Sequence, residues 1–598
     1  MAANNSSVQT WDEISLGIVT NAIMPNQTFF EKLASVPTVL LENIDLLSLE
    51  FRIVFTALAC IYISSHGALR RPPSAKLPKR GKNGEGEGEE EEEEEAEERD
   101  DQYVQGLILS DAIMFPILAG TVLIGLYYLI KWFGDSDILN QILRAYFSLM
   151  SLASLAKFLA DGLHFLTGFA FPSVWIDRHG RVYHIDSGKR GQCYIQNDTD
   201  GQIWDDKKVS PLPSIFSELK FSEKTTKMLW EIRHLFIEEW TVRVVVHGVV
   251  NEKFHITFND IFGAVLAIGA NLLYYTTDST FLSNILGYGL SYTSIIIMSP
   301  TTFITGSSVL YGLFFYDIVM VFYTPYMVTV ATKIDAPVKL VFQSANKAKT
   351  SMLGLGDIVI PGMFIALCLR FDHYMHYYRQ QKLEEVELKA DDASSGQLIT
   401  STETQRIVVK PDYINPQGQW GNRFWATKLS KVLSPDATPA LKASTFPKPY
   451  FHAAMVGYLL AMVATLAMLL TFKHAQPALL YLVPGVVTVV WLTGLVRGEI
   501  SEMWNYTEDG SLDMTDVIVE VDGEGNIIKQ IQEEDDWDER EDKHKEGGAE
   551  KNSGNEENKE AGSKTSHGEV AAADKDGRDK AEKYPVFLFS IEAPTPKQ

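Results

Sequence analysis

The chain has 598 residues, of which 46% are hydrophobic, and a formal net charge of −24. The net charge comes largely from two acidic segments, between Glu85 and Asp101 and after Glu508, so the charge pattern gives no sign of nucleic-acid binding. Three cysteines occur, Cys60, Cys193 and Cys368, without any CxxC spacing, and they cannot supply a disulfide framework.

Long apolar runs determine the predicted fold class. A bilayer core about 30 Å thick needs about 20 apolar residues for each spanning helix. Nine runs have roughly this length: 49–68, 107–131, 139–167, 257–277, 280–299, 305–330, 350–370, 450–472 and 476–497. The fourth and fifth are separated only by Asp278 and short polar breaks. We therefore predict an all-α polytopic membrane protein with nine transmembrane helices and small soluble insertions.

Small residues in these runs indicate where helices could approach one another closely. The glycines concerned are Gly120, Gly125, Gly263, Gly269 and Gly362. We expect helix contacts at these positions.

Basic residues in short loops predict the orientation in the membrane. Six of them follow the first span, between Arg70 and Lys82, which places that loop in the cytosol and the amino terminus in the lumen. Glycosylation sequons at Asn4, Asn5 and Asn26 agree with a lumenal amino terminus. Nine spans then place the carboxyl terminus in the cytosol. The lysines of the loop 331–349 disagree with this topology, but the first spans have more influence on orientation.

The segments between the spans divide the chain into seven parts. Residues 168–256 contain strand-like alternation, in RVYHID and WTVRVVVHGVV, and a helical stretch around Met228–Phe236. A hairpin is predicted around Asp522–Gly525. The predicted parts are a lumenal segment (1–48), the first three spans with an acidic cytosolic loop at 69–105 (49–167), a cytosolic insertion with some β structure (168–256), spans four to seven (257–372), a cytosolic loop (373–448), spans eight and nine (449–497) and a largely disordered acidic cytosolic tail (498–598).

Some acidic residues near the spans have a local structural explanation. Asp111 and Asp260 lie where helices begin, and there the positive end of the helix dipole stabilises a carboxylate. Lys157 and Asp161 are four residues apart and can pair on one helix face. These residues are interpreted as structural.

Asp317 and Asp357 have no such explanation. Asp317 lies inside VLYGLFFYDIVMVFYTPYMVTVA and Asp357 opens MLGLGDIVIPGMFIALCL, and neither run contains a basic residue. An acidic residue at the centre of a bilayer costs about 2.5–3.5 kcal/mol even on the lenient insertion scales, so it is normally functional. Counted along ideal helices running in opposite directions, the two aspartates lie about 18 Å and about 10 Å from opposite surfaces, which are similar depths.

Two carboxylates that face each other in a low dielectric titrate as a unit, with one proton shared between them. This arrangement activates water and protonates the scissile carbonyl in aspartic proteases. Gly354 and Gly356 leave space for a helix or an extended backbone to approach Asp357. Tyr316 adds a phenol beside Asp317. Pro477, in KHAQPALLYLVPG, is by itself an ordinary helix-start residue.

The combination of YD in one apolar segment, GLGD in the next and QPALL before the last resembles the presenilin-type GxGD intramembrane aspartyl proteases, and in particular their signal peptide peptidase branch. Stretches such as DAPVKLVF, MLGLGDIVIPGMFIALCLRFD and FKHAQPALLYLVP are similar to that branch beyond the short motifs. The resemblance covers mainly 280–372 and 450–506. Two departures lie beside the site: Met320 replaces an aromatic residue, and TPYM replaces a more polar segment.

The resemblance implies a presenilin-like fold with Asp317 and Asp357 as the catalytic pair. It also implies that eight neighbouring residues shape the cleft or support the site: Tyr316, Gly354, Leu355, Gly356, Gln476, Pro477, Ala478 and Leu479. The implied function is an endopeptidase of the endoplasmic reticulum membrane that cleaves signal-peptide remnants and other type II or tail-anchored segments. Assembly into homo-oligomers and contact with membrane-protein degradation machinery are further implications.

Other functions remain compatible with the buried carboxylates. A proton-coupled transporter or channel would use them as a relay, although no internal repeat typical of transporters is visible. A non-catalytic protein that binds membrane segments is the third alternative. Neither HExxH nor GxSG occurs, so no metal or cofactor is expected.

Overall fold

The computed structural model of the protein is mostly helical. It describes residues 44–75, 105–133, 136–177, 179–196, 199–205, 208–219, 221–246, 250–277, 279–334, 337–343, 350–391, 398–426, 438–472, 476–508, 518–521, 527–531 and 587–592. The sequons at Asn4, Asn5 and Asn26, and most of the acidic loop 69–105, lie outside these residues.

Fourteen α-helices and fifteen strands are assigned in this part of the chain. The helices are α1 (Ile44–Gly67), α2 (Asp111–Phe133), α3 (Ser136–Ala170), α4 (Glu223–Ile237), α5 (Phe258–Thr277), α6 (Thr280–Ile297), α7 (Phe303–Ile318), α8 (Tyr326–Lys333), α9 (Gly356–Tyr378), α10 (Trp420–Ala426), α11 (Pro439–Ala443), α12 (Pro449–Phe472), α13 (Leu479–Arg497) and α14 (Ile500–Asn505). The strands are β1 (Gln105–Leu107), β2 (Val174–Ile176), β3 (Val182–Asp186), β4 (Gly191–Gln196), β5 (Thr199–Trp204), β6 (Glu239–Val246), β7 (Val250–Thr257), β8 (Met298–Pro300), β9 (Lys339–Gln343), β10 (Thr350–Gly354), β11 (Lys382–Asp391), β12 (Leu398–Val409), β13 (Ile518–Val521), β14 (Ile527–Ile531) and β15 (Phe587–Glu592).

Eight helices of the described chain are long and apolar enough to cross a bilayer: α1, α2, α3, α5, α7 with its continuation to Tyr323, α9, α12 and α13. The fifth predicted span, 280–299, forms the helix α6 but is not among these eight. Its polar residues, including Ser283, Asn284 and Ser291, lower its mean hydropathy. Because α6 packs against α1, α3 and α9, these polar groups contact protein, and Ser291 is fully buried.

Two predicted helix boundaries beside the aspartates were wrong. The run 305–330 is broken, because α7 passes into a π-helical turn at Val319–Tyr323 and the chain restarts as α8 after Pro325. The run 350–370 starts as the strand β10 and becomes helical only at Gly356. Proline disfavours continuation of the first helix, and pairing of β10 with β9 stabilises the extended chain in the second. Asp357 therefore lies in the first turn of its helix.

Helix α9 lies at the centre of the helical assembly. It packs against α1, α6, α7, α12 and α13, and most of its side chains are buried. Phe364 and Phe371 are fully buried, and both pack edge-to-face against Phe303 of α7. A helix that is apolar on all sides is expected in such a position. The helix that carries Asp357 is thus held from every side by protein.

Three of the five predicted glycine contacts are present. A Cβ atom at Gly263 would lie 2.7 Å from the Ala160 backbone nitrogen, and one at Gly362 would lie 2.7 Å from Ile295 Cδ1. A Cβ at Gly120 would meet the Met320 methyl group at 3.3 Å. At Gly125 and Gly269 nothing lies within 4 Å, so the expectation of close helix contacts there was wrong.

The segment between α3 and α5 contains the predicted strands and helix. Its first sheet has the order β2-β3-β4-β5, and α4 follows it. Trp175 and Tyr183 stack with ring centroids 4.8 Å apart, and the Lys208 amine lies 3.6 Å from the Tyr183 ring centroid. Burial is the largest cause that lowers the pKa of Lys208. The cation therefore forms part of the small core of this sheet.

A second sheet has the order β15-β6-β7 and joins two distant parts of the chain. Strand β15 comes from the apolar sequence close to residue 598 and pairs antiparallel with β6. This pairing gives the apolar residues of Phe587–Glu592 a place in a sheet. The antiparallel pair β13-β14 agrees with the predicted hairpin, whose turn lies outside the described residues. The pair β11-β12 and the short helices α10 and α11 were not expected from the sequence.

The predicted helix-start residues and the predicted ion pair are confirmed. The Asp111 carboxylate accepts from the Ile108 N–H at 2.9 Å, and the Asp260 carboxylate accepts from the Thr257 N–H at 2.9 Å. Lys157 and Asp161 pair at 3.0 Å, and Asp161 also accepts a hydrogen bond from the Tyr292 hydroxyl at 2.7 Å.

The α3–α5 contact can be tested with a matched pair of glycine substitutions. Gly263→Ala places a methyl group 2.7 Å from the Ala160 backbone, so the helices must separate, and we expect a loss of about 1–3 kcal/mol in the free energy of unfolding. Gly269→Ala, in the same helix, meets nothing within 4 Å and should not destabilise the protein. Thermal unfolding of the purified variants measures both changes. Equal melting temperatures for the two variants would contradict the close contact.

Candidate active site

Asp317 is buried at the carboxyl end of α7. Its side chain is 3% exposed, and the helix passes into the π-helical turn two residues later. One carboxylate oxygen accepts a hydrogen bond from the backbone N–H of Leu479 at 3.1 Å. Because a hydrogen bond from an N–H stabilises negative charge on the acceptor, this contact offsets part of the free-energy cost of burying a carboxylate in an apolar region.

Leu479 is the first residue of α13, and its N–H is one of the four that have no partner inside the helix. The positive end of the α13 dipole therefore points at Asp317. Pro477 is buried just before the helix, and its carbonyl accepts from the Leu480 N–H at 3.3 Å. The QPALL segment thus contributes to the site by fixing a helix N-terminus against an aspartate. The sequence alone gave no indication of this backbone role.

Asp357 lies in the first turn of α9, where the helix dipole also favours a carboxylate. Its backbone carbonyl accepts a hydrogen bond from the Tyr458 hydroxyl of α12 at 3.2 Å. Helices α7 and α9 pack against each other and both against α13. The two aspartates therefore lie on neighbouring helices, with Asp317 at the N-terminus of α13 and Asp357 in the first turn of α9.

The glycine motif lies between a hairpin and α9. Gly354 ends β10, and a Cβ there would lie 3.4 Å from an Asp357 carboxylate oxygen, so a glycine keeps the space next to the acid open. Gly356 begins α9 and is exposed. Leu355 packs into the core, and its N–H donates to the Val338 carbonyl at 3.1 Å. The strand before Asp357 is thereby fixed relative to the helix that carries it.

The outer edge of β9 is occupied by a side chain. Asn284 of α6 donates to the Val341 carbonyl and accepts from the Val341 N–H, both at 2.8 Å. In the register of the hairpin Val341 lies opposite Met352, so the backbone groups of Met352 also point away from the partner strand. The same alternation turns the backbone groups of Gly354 outward. The hairpin has two strands, and its second edge, on β10, leads directly to Asp357.

The remaining predicted site residues lie around this centre. The Tyr316 ring points to α2, 3.7 Å from the Cβ position of Gly120, and Met320 lies beside it. Gln476 accepts a hydrogen bond from the Tyr481 hydroxyl at 3.2 Å, and Ala478 packs on the main core. The ring of Tyr316, one of the predicted site residues, is thus directed at the neighbouring helix α2.

Several contacts that hold the site were not predicted. The Trp491 indole of α13 donates to Ser307 of α7 at 3.1 Å, which adds a second tie between these helices. Asp372 accepts from the backbone N–H groups of Tyr450 and Phe451, at 3.2 and 2.9 Å, and so caps α12. No local motif identifies these partners, because they are distant in sequence.

A buried ion pair fixes the opposite end of α9. Arg370 pairs with Glu508, which also binds Arg70 at 2.8 Å. The Glu508 N–H donates to the Thr301 carbonyl, and Tyr506 packs on Phe303. Burial raises the pKa of Tyr506 well above its ordinary value. The segment after α14 therefore holds α7 and α9 together at the end remote from the aspartates.

The fold and the site define a multi-pass membrane protein with two aspartates on neighbouring helices of its helical bundle. The sequence profile of the signal peptide peptidase family matches residues 99–510. The chain belongs to the signal peptide peptidase family.

Curated relatives agree with this assignment. The chain is 26% identical to signal peptide peptidase of Homo sapiens over 411 residues, which cover 67% of this chain and 74% of that protein. It is 34% identical to intramembrane protease 2 of Caenorhabditis elegans over 238 residues, or 39% of each chain. A probable intramembrane protease of Schizosaccharomyces pombe is 35% identical over 257 residues, which cover 42% of this chain and 66% of that one. The matches to these last two relatives thus span less than two thirds of their length. No solved structure matches the chain significantly.

The contact between Leu479 and Asp317 can be tested by a double-mutant cycle. Leu479→Pro removes the N–H at a helix position that tolerates proline, whereas Leu479→Ala keeps it. Each Leu479 variant is combined with Asp317→Ala. We expect a coupling free energy of about 1.5–3 kcal/mol for the proline variant and little coupling for the alanine variant. Equilibrium unfolding of the four proteins in each cycle gives these values. Equal coupling in both cycles would show that the hydrogen bond is not the source.

Proposed function

We propose that the protein is an intramembrane aspartyl endopeptidase in which Asp317 and Asp357 form the catalytic pair. The observation that carries the proposal is the burial of Asp317 at an α-helix N-terminus, next to the helix that presents Asp357. One aspartate activates water as a general base while the other protonates the scissile carbonyl. The Leu479 N–H stabilises negative charge on Asp317, so the general base is assigned to Asp317 and the proton donor to Asp357.

The hairpin beside Asp357 supports a way of presenting the peptide bond. A substrate helix hides its carbonyl groups in internal hydrogen bonds and must unwind before cleavage. An unwound segment can pair with the outer edge of β10, where the Met352 and Gly354 backbone groups point away from β9. The space at Gly354 then allows the substrate backbone to approach Asp357. The Asn284 contact with β9 directs such pairing to the β10 edge.

Membrane peptides are the substrate class that this site would take. The family assignment favours signal-peptide remnants and other type II or tail-anchored segments as substrates, and the endoplasmic reticulum as location. The proposed topology has nine spans, with α6 as the fifth, a lumenal amino terminus and a cytosolic carboxyl terminus. Assembly with further copies and with degradation machinery is part of the same proposal.

The catalytic pair is tested in proteoliposomes with a fluorogenic membrane-peptide substrate. Asp317→Ala and Asp357→Ala should each reduce cleavage to background, a loss of at least about 10³-fold, because each removes one half of the acid–base pair. Asp111→Asn is the matched control, since asparagine caps a helix as well as aspartate and the Asp111 carboxylate bonds to the start of its own helix. If either alanine variant cleaves as well as the wild type, the protease assignment fails. Proton flux into the vesicles without cleavage would favour a transporter.

The role of Asn284 gives a separate prediction. Asn284→Ala frees the β9 edge and loosens the hairpin, so we expect a several-fold lower cleavage rate in the same assay. Asn271→Ala is the control, because the Asn271 side chain likewise makes two hydrogen bonds, but to Ser148 of α3 and not to the hairpin. Equal effects of the two substitutions would mean that Asn284 acts only through general stability.

A further inference from the structure

The sheet β15-β6-β7 has one apolar face. Val242 of β6 lies opposite Phe254 of β7 on one side and opposite Ile591 of β15 on the other. Phe589 lies opposite Val244 in the adjacent row on the same face. Residues directly opposite each other in a sheet point to the same side. These five side chains therefore form a continuous apolar surface, which we call the apolar face.

The other face of the sheet is polar. Thr241 lies opposite His255, and Arg243 lies opposite Ser590. Arg243 and His255 are exposed. Within Thr241–Val244, Phe254–His255 and Phe589–Ile591, the alternation is that of a sheet with one side in water and the other against an apolar environment.

The apolar face is open along its two outer strands in the described chain, while Val242 on the central strand is buried. Phe254 is 43% exposed, Phe589 is 56% exposed and Ile591 is 58% exposed. Contiguous apolar side chains of this size on a surface indicate a contact with a partner or with lipid. Two of the three belong to β15, so the strand near residue 598 supplies most of this surface.

The sheet is attached firmly to a membrane span. Strand β7 ends at Thr257 and α5 begins at Phe258, without a linker. The Thr257 hydroxyl and His164 of α3 are 3.0 Å apart, and the Asn259 side chain donates to the Phe236 carbonyl at 3.2 Å. Contacts on both sides of the junction restrict rotation of the sheet relative to α5.

The outward side of α5 is also apolar. Phe258, four residues after Phe254, stacks on Phe262 with ring centroids 6.2 Å apart. Phe262 and Val265 are 42% and 58% exposed, as expected for residues on the lipid side of a span. The apolar sheet face is therefore joined directly to a span whose exposed side chains are apolar as well.

We propose that the apolar face is a membrane-docking surface that lies in the interfacial region of the leaflet where α5 begins. Phenylalanine and aliphatic side chains partition there, while the polar face with Arg243 remains in water. The chain segment near residue 598 is thereby held at the membrane through Phe589 and Ile591. This inference depends on the membrane position of α5 and is independent of the proposed protease activity.

Nitroxide scanning of the full-length protein in phosphatidylcholine vesicles tests the proposal. In a background with Cys60, Cys193 and Cys368 replaced by alanine, a label is placed at Phe589→Cys, at Ser590→Cys and at Ile591→Cys. The ratio of collisions with oxygen to collisions with a water-soluble nickel chelate should be several-fold higher at 589 and 591 than at 590. The Ser590 label is the matched control, since it lies on the same strand but on the polar face.

A second pair of labels controls for the possibility that labelling β15 disrupts its pairing with β6. Phe254→Cys and His255→Cys lie on β7 and report on the same two faces without altering β15. Both strands must show the alternation for the proposal to stand. Equal exposure to the nickel chelate on both faces overturns it. Shielding of 254 and 589 from both reagents also overturns it, because the face would then be covered by protein, and spin–spin broadening would identify a second copy.

Discussion

The hydrogen bond from the Leu479 backbone to the Asp317 carboxylate is the contact on which the centre of the molecule depends. An acidic side chain at bilayer depth needs a polar partner, and here a helix N-terminus provides one without adding another charged residue. The same bond fixes where α13 begins relative to α7. Because α9 packs on both helices, the position of Asp357 follows from this contact as well.

Close helix packing allows these polar contacts to form. A Cβ at Gly457 of α12 would lie 2.9 Å from the Gly485 carbonyl of α13, and a Cβ at Gly485 would lie 2.6 Å from the Ala461 methyl group. These two helices therefore approach each other at their backbones, as small residues in membrane helices permit. Tyr458 reaches the Asp357 backbone from the same part of α12. Small residues thus set the distance between these helices, and polar groups such as the Tyr458 hydroxyl orient the site by hydrogen bonds.

The sequence predicted the parts of the site that depend on residue type. Asp317 and Asp357 stand out because charge is rare in apolar runs, and eight of the nine predicted spans correspond to helices that are long and apolar enough to cross a bilayer. The start of α9 was mispredicted because MLGLG is apolar enough for a helix or a strand, and only its pairing with β9 decides between them.

Contacts made by backbone groups or by distant partners leave no local pattern. Every non-proline residue has a backbone N–H, so the role of the Leu479 N–H becomes visible only once α13 is placed against Asp317. The Arg370–Glu508 pair and the β6-β15 pairing join residues far apart in the chain. Sequence periodicity describes one element at a time and therefore cannot identify such partners.

The pairing of β15 with β6 changes the nature of the acidic segment between Glu508 and Phe587. Glu508 is fixed by Arg70 and Arg370, and Phe587 is fixed in a sheet, so both ends of the segment are anchored. It is therefore a closed loop, and the entropy of closure grows only slowly with its length. Cutting the loop at one site would release neither half from the protein, and lengthening it would cost little free energy.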